Sequence, residues 1–358
     1  MAMSQYERFW STVRHERPDE FLYYMSFTPD LDSRMRQRLG LSQEADLGAH
    51  LGLFSPANAI PLASEDQASR DFSAYFADVA IPDGSFINRL GVLEIPGSMY
   101  HFTRYVSPLR QASTLTDLEA FSYPSTIGQT TDHMVRVVEE AHEQGRVAQS
   151  WIGHMYEDAW QIRGYEQFLM DMLTQPDWCE FILDKLKERN LVNAKAAASA
   201  GVDFIRTGDD VANQKAMMFS VDHWRRFMKP RWAEVYAAAR AINPDVQIWY
   251  HSDGNIEAII PDLIEIGVTI LNPVQPECLD PLWVKREFGA HLVLDGTIGT
   301  QTTMPFGSSA DVRATVRERL ETLGHDGGLI VSPTHVLEPE VPVENVFAMI
   351  DAVKELPK

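Results

Sequence analysis

Residues 246–276 read VQIWYHSDGNIEAIIPDLIEIGVTILNPVQP. Two short apolar runs, 246–250 and 268–271, flank a polar turn and an amphipathic stretch. Runs that are apolar on consecutive positions, short and rich in β-branched residues are characteristic of strands buried on both faces of a parallel sheet. A strand, a turn, a helix and a second strand make a βα repeat. The pattern recurs on both sides: RVAQSWI (146–152) and VDFIRT (202–207) come before it, HLVL (291–294) and LIVS (329–332) after it. Between the runs, residues 222–242 place Trp224, Phe227, Met228, Trp232, Val235 and Tyr236 three to four apart, the spacing of a helix with one apolar face. Residues 311–323 and 343–356 behave alike.

Six βα units are therefore legible after residue 146, and an eight-stranded barrel needs two more. EFLYYMSF (20–27), after a helix at 4–15, supplies a first strand; the second has no clear place. Residues 84–107 alternate in a hairpin-like way and read as an insertion. The expected architecture is an α/β fold, a (β/α)8 TIM barrel over 1–358 as a single domain. It carries an N-terminal helical extension within 1–19 and the insertion at 84–107. An open doubly wound sheet is the alternative.

With 358 residues, 45% of them hydrophobic, the chain can bury a large core without staples. Its formal net charge of -20 repels phosphate backbones and anionic lipid, which argues against nucleic acid and membrane surfaces as partners. Two cysteines, an N-terminus without an apolar signal segment and no apolar run near the ~18 residues of a spanning helix suit a cytoplasmic protein.

Active sites of such barrels sit at the C-terminal ends of the strands. That rule selects His251, Ser252 and Asp253 after VQIWY, Asp209 and Asp210 after VDFIRT, and His154 after RVAQSWI. It also selects Asn272 to Gln275 after VTIL, Asp295 after HLVL, and His335 after LIVS. His251, Asp253 and His335 form a set of two histidines and one carboxylate that suits zinc or another first-row divalent ion, with a coordination position left open. The competing structural roles are a strand-end histidine that orients a loop and, for Asp253 before Gly254, a turn residue or helix cap. Asp209 and Asp210 are candidates for positioning substrate or moving protons. Glu157, Arg163, Tyr250 and Gln275 are candidates for lining a substrate pocket. Trp151, Tyr156, Trp160, Trp249 and Tyr250 suit a flat or hydrophobic substrate, or else plain barrel core.

These strand-end strings resemble the uroporphyrinogen decarboxylase superfamily, which includes the decarboxylase and the methylcobamide-dependent methyltransferases. EDAWQIRGYEQFLMDMLTQPDW (157–178), GDDVANQKAMMFSVDHWRRFMKPRW (208–232), 251–276 and GGLIVSPTHVLEPEVPVENV (327–346) carry the likeness, while the first ~80 residues match loosely. In the corrinoid-linked members the resemblance implies a zinc held by a histidine-x-cysteine pair and a distant cysteine. Here those places fall to His251, to Asp253 and at or beside His335. Oxygen and imidazole replace two thiolates, so less charge reaches the metal and its preferred identity changes. The decarboxylase's arginine-rich motif after the first strand is missing from MSFTPDLDSRMRQRLG (25–40), which argues against uroporphyrinogen as substrate.

The resemblance implies a metal-dependent methyltransferase or demethylase acting on a small, possibly aromatic substrate. His251, Asp253 and His335 would hold the metal, and Asp209, Asp210 and His335 would serve catalysis. The methyl carrier would be a corrinoid on a partner protein, and a homodimer is the default assembly. Two other readings stand beside it: a cofactor-free decarboxylase, with Asp209 or Asp210 stabilising a protonated ring, and a binding subunit without catalysis.

Overall fold

The computed structural model describes residues 2–64, 70–97 and 103–355. The strands among the described residues are β1 (Ala57–Asn58), β2 (Phe86–Ile87), β3 (Leu93–Pro96), β4 (Thr103–Val106), β5 (Ala148–Gly153), β6 (Phe204–Gly208), β7 (Gln247–His251), β8 (Ile270–Asn272), β9 (Val293–Ile298) and β10 (Leu329–Pro333). Seven form one sheet in the order β1-β5-β6-β7-β8-β9-β10, every neighbouring pair parallel. β5 to β10 are the six apolar runs, displaced towards the C-terminus by up to four residues. An α/β fold with a curled, TIM-barrel-like parallel sheet follows.

The strand left unplaced in the sequence is β1, two residues long, pairing Ala57 with Ala148 and Asn58 with Gln149. Its sequence, PAN, carries no apolar run and follows a proline, so nothing local marks it. The stretch around 20–27 makes isolated parallel bridges rather than a ladder, Tyr23 with Val331 and Phe27 with Leu337. Val331 N donates to Leu22 O (2.9 Å), and Phe54 N donates to Tyr23 O (2.7 Å). Chain 22–24 thus lies between β10 and the approach to β1.

Within 84–107, β2, β3 and β4 form a three-stranded antiparallel sheet; residues 98–102 lie outside the described residues. The helix expected over 222–242 is two helices, Val221–Phe227 and Lys229–Ile242. Pro230, in the first turn of the second, has no N–H to carry the first helix onward. No helix among the described residues is long and apolar enough to cross a membrane.

Alternate residues of each strand serve two cores, because successive side chains leave a strand on opposite faces. Phe204, Trp249, Ile270, Val293 and Ile330 cluster with Leu22, Phe54 and Phe9 inside the curl of the sheet. Ile205, Ile248, Tyr250, Leu271, Leu294 and Val331 join the larger core beneath the helices. Phe9 comes from the N-terminal helix Gln5–Val13 and stacks on Phe204 at 5.2 Å, plugging the inner cluster. That helix starts with a capping box: Ser4 Oγ accepts from Glu7 N, and the Glu7 carboxylate accepts from Ser4 N.

Candidate metal centre

His251 is the last residue of β7 and points to the inner face, two positions beyond Trp249, whose ring lies nearly parallel to the imidazole at 5.8 Å. Its Nδ1 lies 2.7 Å from Asn272 Oδ1 on the adjacent β8. The other end of the amide settles the donor: Asn272 Nδ2 donates to Tyr24 Oη at 3.1 Å, and that hydroxyl donates to Asp295 Oδ2 at 3.0 Å. Nδ1 therefore carries the proton, and Nε2 is the ring atom left to bind. Nε2 faces Asp210 Oδ1 at 3.7 Å and Asp253 Oδ1 at 4.0 Å.

Two local features place these carboxylates. Asp210 Oδ1 accepts the backbone N–H of Asp253 at 2.8 Å, tying the loop after β6 to the loop after β7. Gly254 has φ 86°, and a Cβ there would meet Asn213 O at 2.6 Å, so the chain turns tightly against the neighbouring loop only because this residue is glycine. The ligand atoms of Asp210, His251 and Asp253 all lie within 4.8 Å of one another. Burial pushes the Asp253 carboxyl above its usual range; His251 opposes that rise and Asp210 adds to it. A cation between them would relieve this crowding.

His335 stands apart from that trio. It is exposed, two residues past β10, and its ring belongs to neither close group of ligand atoms. It shares a cavity of about 510 Å³ at the strand ends with Asp253, Gln275, Thr334 and Gln301, and its charge bears on Asp253. The group of candidate ligand atoms brought together here is therefore that of His251, Asp253 and Asp210, while His335 shares a cavity with Asp253 outside that group.

Asp209 and Asp210, adjacent in sequence, part company because consecutive side chains leave the strand end in different directions. Asp209 is fully buried, and its Oδ1 accepts from Met155 N (2.9 Å) and Glu157 N (3.1 Å) while Oδ2 accepts from Trp232 Nε1 (3.0 Å). It clamps the loop after β5 to the helix Lys229–Ile242. A second close group forms there: His154 Nδ1 lies 2.6 Å from Glu157 Oε2 and 4.0 Å from Asp209 Oδ1. Burial disfavours a charged His154, but the Glu157 hydrogen bond and charge outweigh it and lift the imidazole to about 10. Burial lifts Asp209 to about 7, against the pull of His154. These side chains are already engaged: His154 Nδ1 also lies 2.6 Å from Gly208 O, and both Asp209 oxygens accept hydrogen bonds.

The remaining candidates divide. Gln275 is buried in the same rim cavity, its Oε1 accepting Gly254 N at 3.3 Å. Glu157 is committed to His154. Arg163 is held in a buried pair with Asp171 (2.6 Å) and on Leu109 O (2.6 Å), and lines neither that cavity nor the inner one described below. Tyr250 is fully buried on the helix side of β7, since alternation sends Trp249 and His251 inward and Tyr250 outward. Of the aromatics, Tyr156 is core, Trp249 is inside the sheet, and Trp151 is 38% exposed with its ring against His154. The roles of Asn272, Tyr24 and Asp295 as supports of His251 were not legible in the sequence, although Asn272 and Asp295 stood among the strand-end residues.

A family model described as uroporphyrinogen decarboxylase matches residues 153–356. The chain belongs to the uroporphyrinogen decarboxylase family. A methyltransferase from Methanosarcina mazei has a similar fold, with a TM-score of 0.68, 20% sequence identity and 99% of each chain covered. A B12-independent methionine synthase from Shewanella sp. W3-18-1, in complex with selenomethionine, is similar over 61% of this chain and 64% of its own, at 14% identity and a TM-score of 0.42. No curated protein matches the chain in sequence.

Proposed function

We propose that the protein is a metal-dependent methyltransferase or demethylase whose divalent ion is held by His251, Asp253 and Asp210, with His335 in the cavity that Asp253 also lines. The observation that carries this reading is the locked imidazole: Asn272 Oδ1 accepts a hydrogen bond from Nδ1–H, so Nε2 is presented to two carboxylates in one close group. Metal-ligating histidines are commonly fixed through their other nitrogen in this way. One nitrogen and two oxygen donors suit zinc and harder first-row ions, with positions open for substrate. The ion, when bound, supplies Lewis acidity to a heteroatom of the substrate.

The chain's own residues do the rest. Gln275 anchors the turn at Gly254 and so fixes Asp253. His335, exposed over the cavity, is positioned to exchange a proton with the substrate heteroatom. Asp209 holds the loop that carries His154 and Glu157. A corrinoid carried by a partner protein is the methyl carrier this reading calls for, and a cytoplasmic homodimer is its default setting. The fold match to a methyltransferase over nearly the whole of both chains supports it. The hydrogen bonding of chain 22–24 to both Val331 and Phe54 is the pattern expected of a (β/α)8 barrel closed by its first strand, and bears on the architecture alone.

The test is elemental analysis of protein purified without chelator, beside His251→Ala and Asp210→Ala. About one divalent ion per chain in the parent and loss in both variants is expected. A metal-free parent that gains no ion on incubation with zinc, manganese or ferrous iron removes the reading and leaves the cofactor-free decarboxylase.

A further inference from the structure

Beneath His251 the sheet lines a half-open cavity of about 230 Å³ whose apolar floor is Phe9, Phe204, Ile270 and Ile330. Arg206, the third residue of β6, lines it together with the polar side chains of Tyr24, Asn58, Gln149 and Asp295. Its guanidinium lies over the Trp249 ring at 3.9 Å. Its Nε is sealed from solvent without a hydrogen-bond partner, while Asp295, in the same lining, acts on it by charge without a close ion pair. The nearby acid is already engaged: Asp295 accepts from Trp249 Nε1 (2.7 Å), Tyr24 Oη (3.0 Å) and Ser332 Oγ (3.1 Å).

A guanidinium N–H sealed from solvent without an acceptor is costly, and such groups are normally hydrogen-bonded. We infer that this cavity is a binding subsite for the carboxylate of a small organic acid, with Arg206 as the residue that selects it. A guanidinium matches a carboxylate in a two-pronged pair, and stacking on Trp249 fixes its plane for that purpose. The apolar floor takes the body of the acid. A cavity of roughly 150 Å³ already holds benzene, so this one accommodates an acid of benzoate size.

Arg206 pairs in register with Trp249, and Gly208 with His251, so at about 3.3 Å per residue the backbone of Arg206 lies roughly 7 Å below that of His251. His251, Asp210 and Asp253 do not line this cavity, so the subsite stands on Arg206 and its surroundings, independently of the metal reading above.

Calorimetric titration with benzoate and with neutral, isosteric benzamide tests the subsite without any turnover. Benzoate is expected to bind the parent protein, before and after exhaustive chelation, at least about tenfold more tightly than benzamide, the scale of a charged hydrogen-bonded pair. Arg206→Gln should remove that preference, and Arg206→Lys should restore part of it. Equal binding of the two probes by the parent overturns the inference without relying on any variant. So does benzoate affinity unchanged in a folded Arg206→Gln protein. Benzoate selectivity in a chain that takes up no metal would uphold the subsite while removing the metal reading. Metal uptake with no selectivity would do the reverse.

Discussion

Asn272 Oδ1 accepts the Nδ1 proton of His251 at 2.7 Å, and the same amide donates to Tyr24, which donates to the buried Asp295. The imidazole at the strand ends is thereby oriented by a chain of three side chains reaching into the interior of the sheet.

That chain makes Asn272 a positioning residue. Asn272→Ala should weaken metal affinity about 10–100-fold, the usual cost of losing such a support, with the fold intact. His251→Ala should abolish uptake. Competition with a chromogenic chelator reads both. Equal affinities for Asn272→Ala and the parent protein would show that the ring needs no support.

Asp209 and Asp210 should separate cleanly. Asp209→Ala leaves two backbone N–H groups and the Trp232 indole N–H without their acceptor, each costing about 1–3 kcal/mol when buried. A loss of about 3 kcal/mol or more in urea unfolding is expected. Asp210 is half-buried, so Asp210→Ala should cost about 1 kcal/mol or less while removing metal binding.

His154 should remain an imidazolium at neutral pH. Its folded value, about 10, lies above the ordinary 6.5 despite burial, because Glu157 hydrogen-bonds to it and faces it with charge. The sign follows from that direction: the contribution to stability is complete below pH 6.5 and is lost as pH rises through about 10. Nitrogen-resolved NMR should show no His154 titration between pH 6 and 8, and Glu157→Gln should bring titration back into that range. A parent midpoint near 6.5 would contradict the pairing.

Phe9 should behave as a plug. It is fully buried and stacks on Phe204 inside the sheet. Phe9→Ala should cost about 3–5 kcal/mol by thermal or denaturant unfolding. It should also enlarge the cavity beside Arg206, raising affinity for longer acids relative to benzoate.

The sequence by itself determined the repeating strands and helices after residue 146, because burial on both faces of a parallel strand forces consecutive apolar residues that survive in any local reading. It also determined which residues stand at the strand ends, and so His251, Asp253 and Asp210. Only the tertiary structure decided which of these meet. His335 follows its strand as His251 does, yet belongs to neither close group, and Asp209 turns inward where its neighbour turns to the rim. β1 and the bridging stretch near Tyr23 take their pairing from Ala148, Phe54 and Val331, residues distant in the chain, so no local pattern announces them. Arg206 shows the same division: its charge within an apolar strand is visible in VDFIRT, but that its Nε lines a cavity without a hydrogen-bond partner is a property of the curled sheet alone.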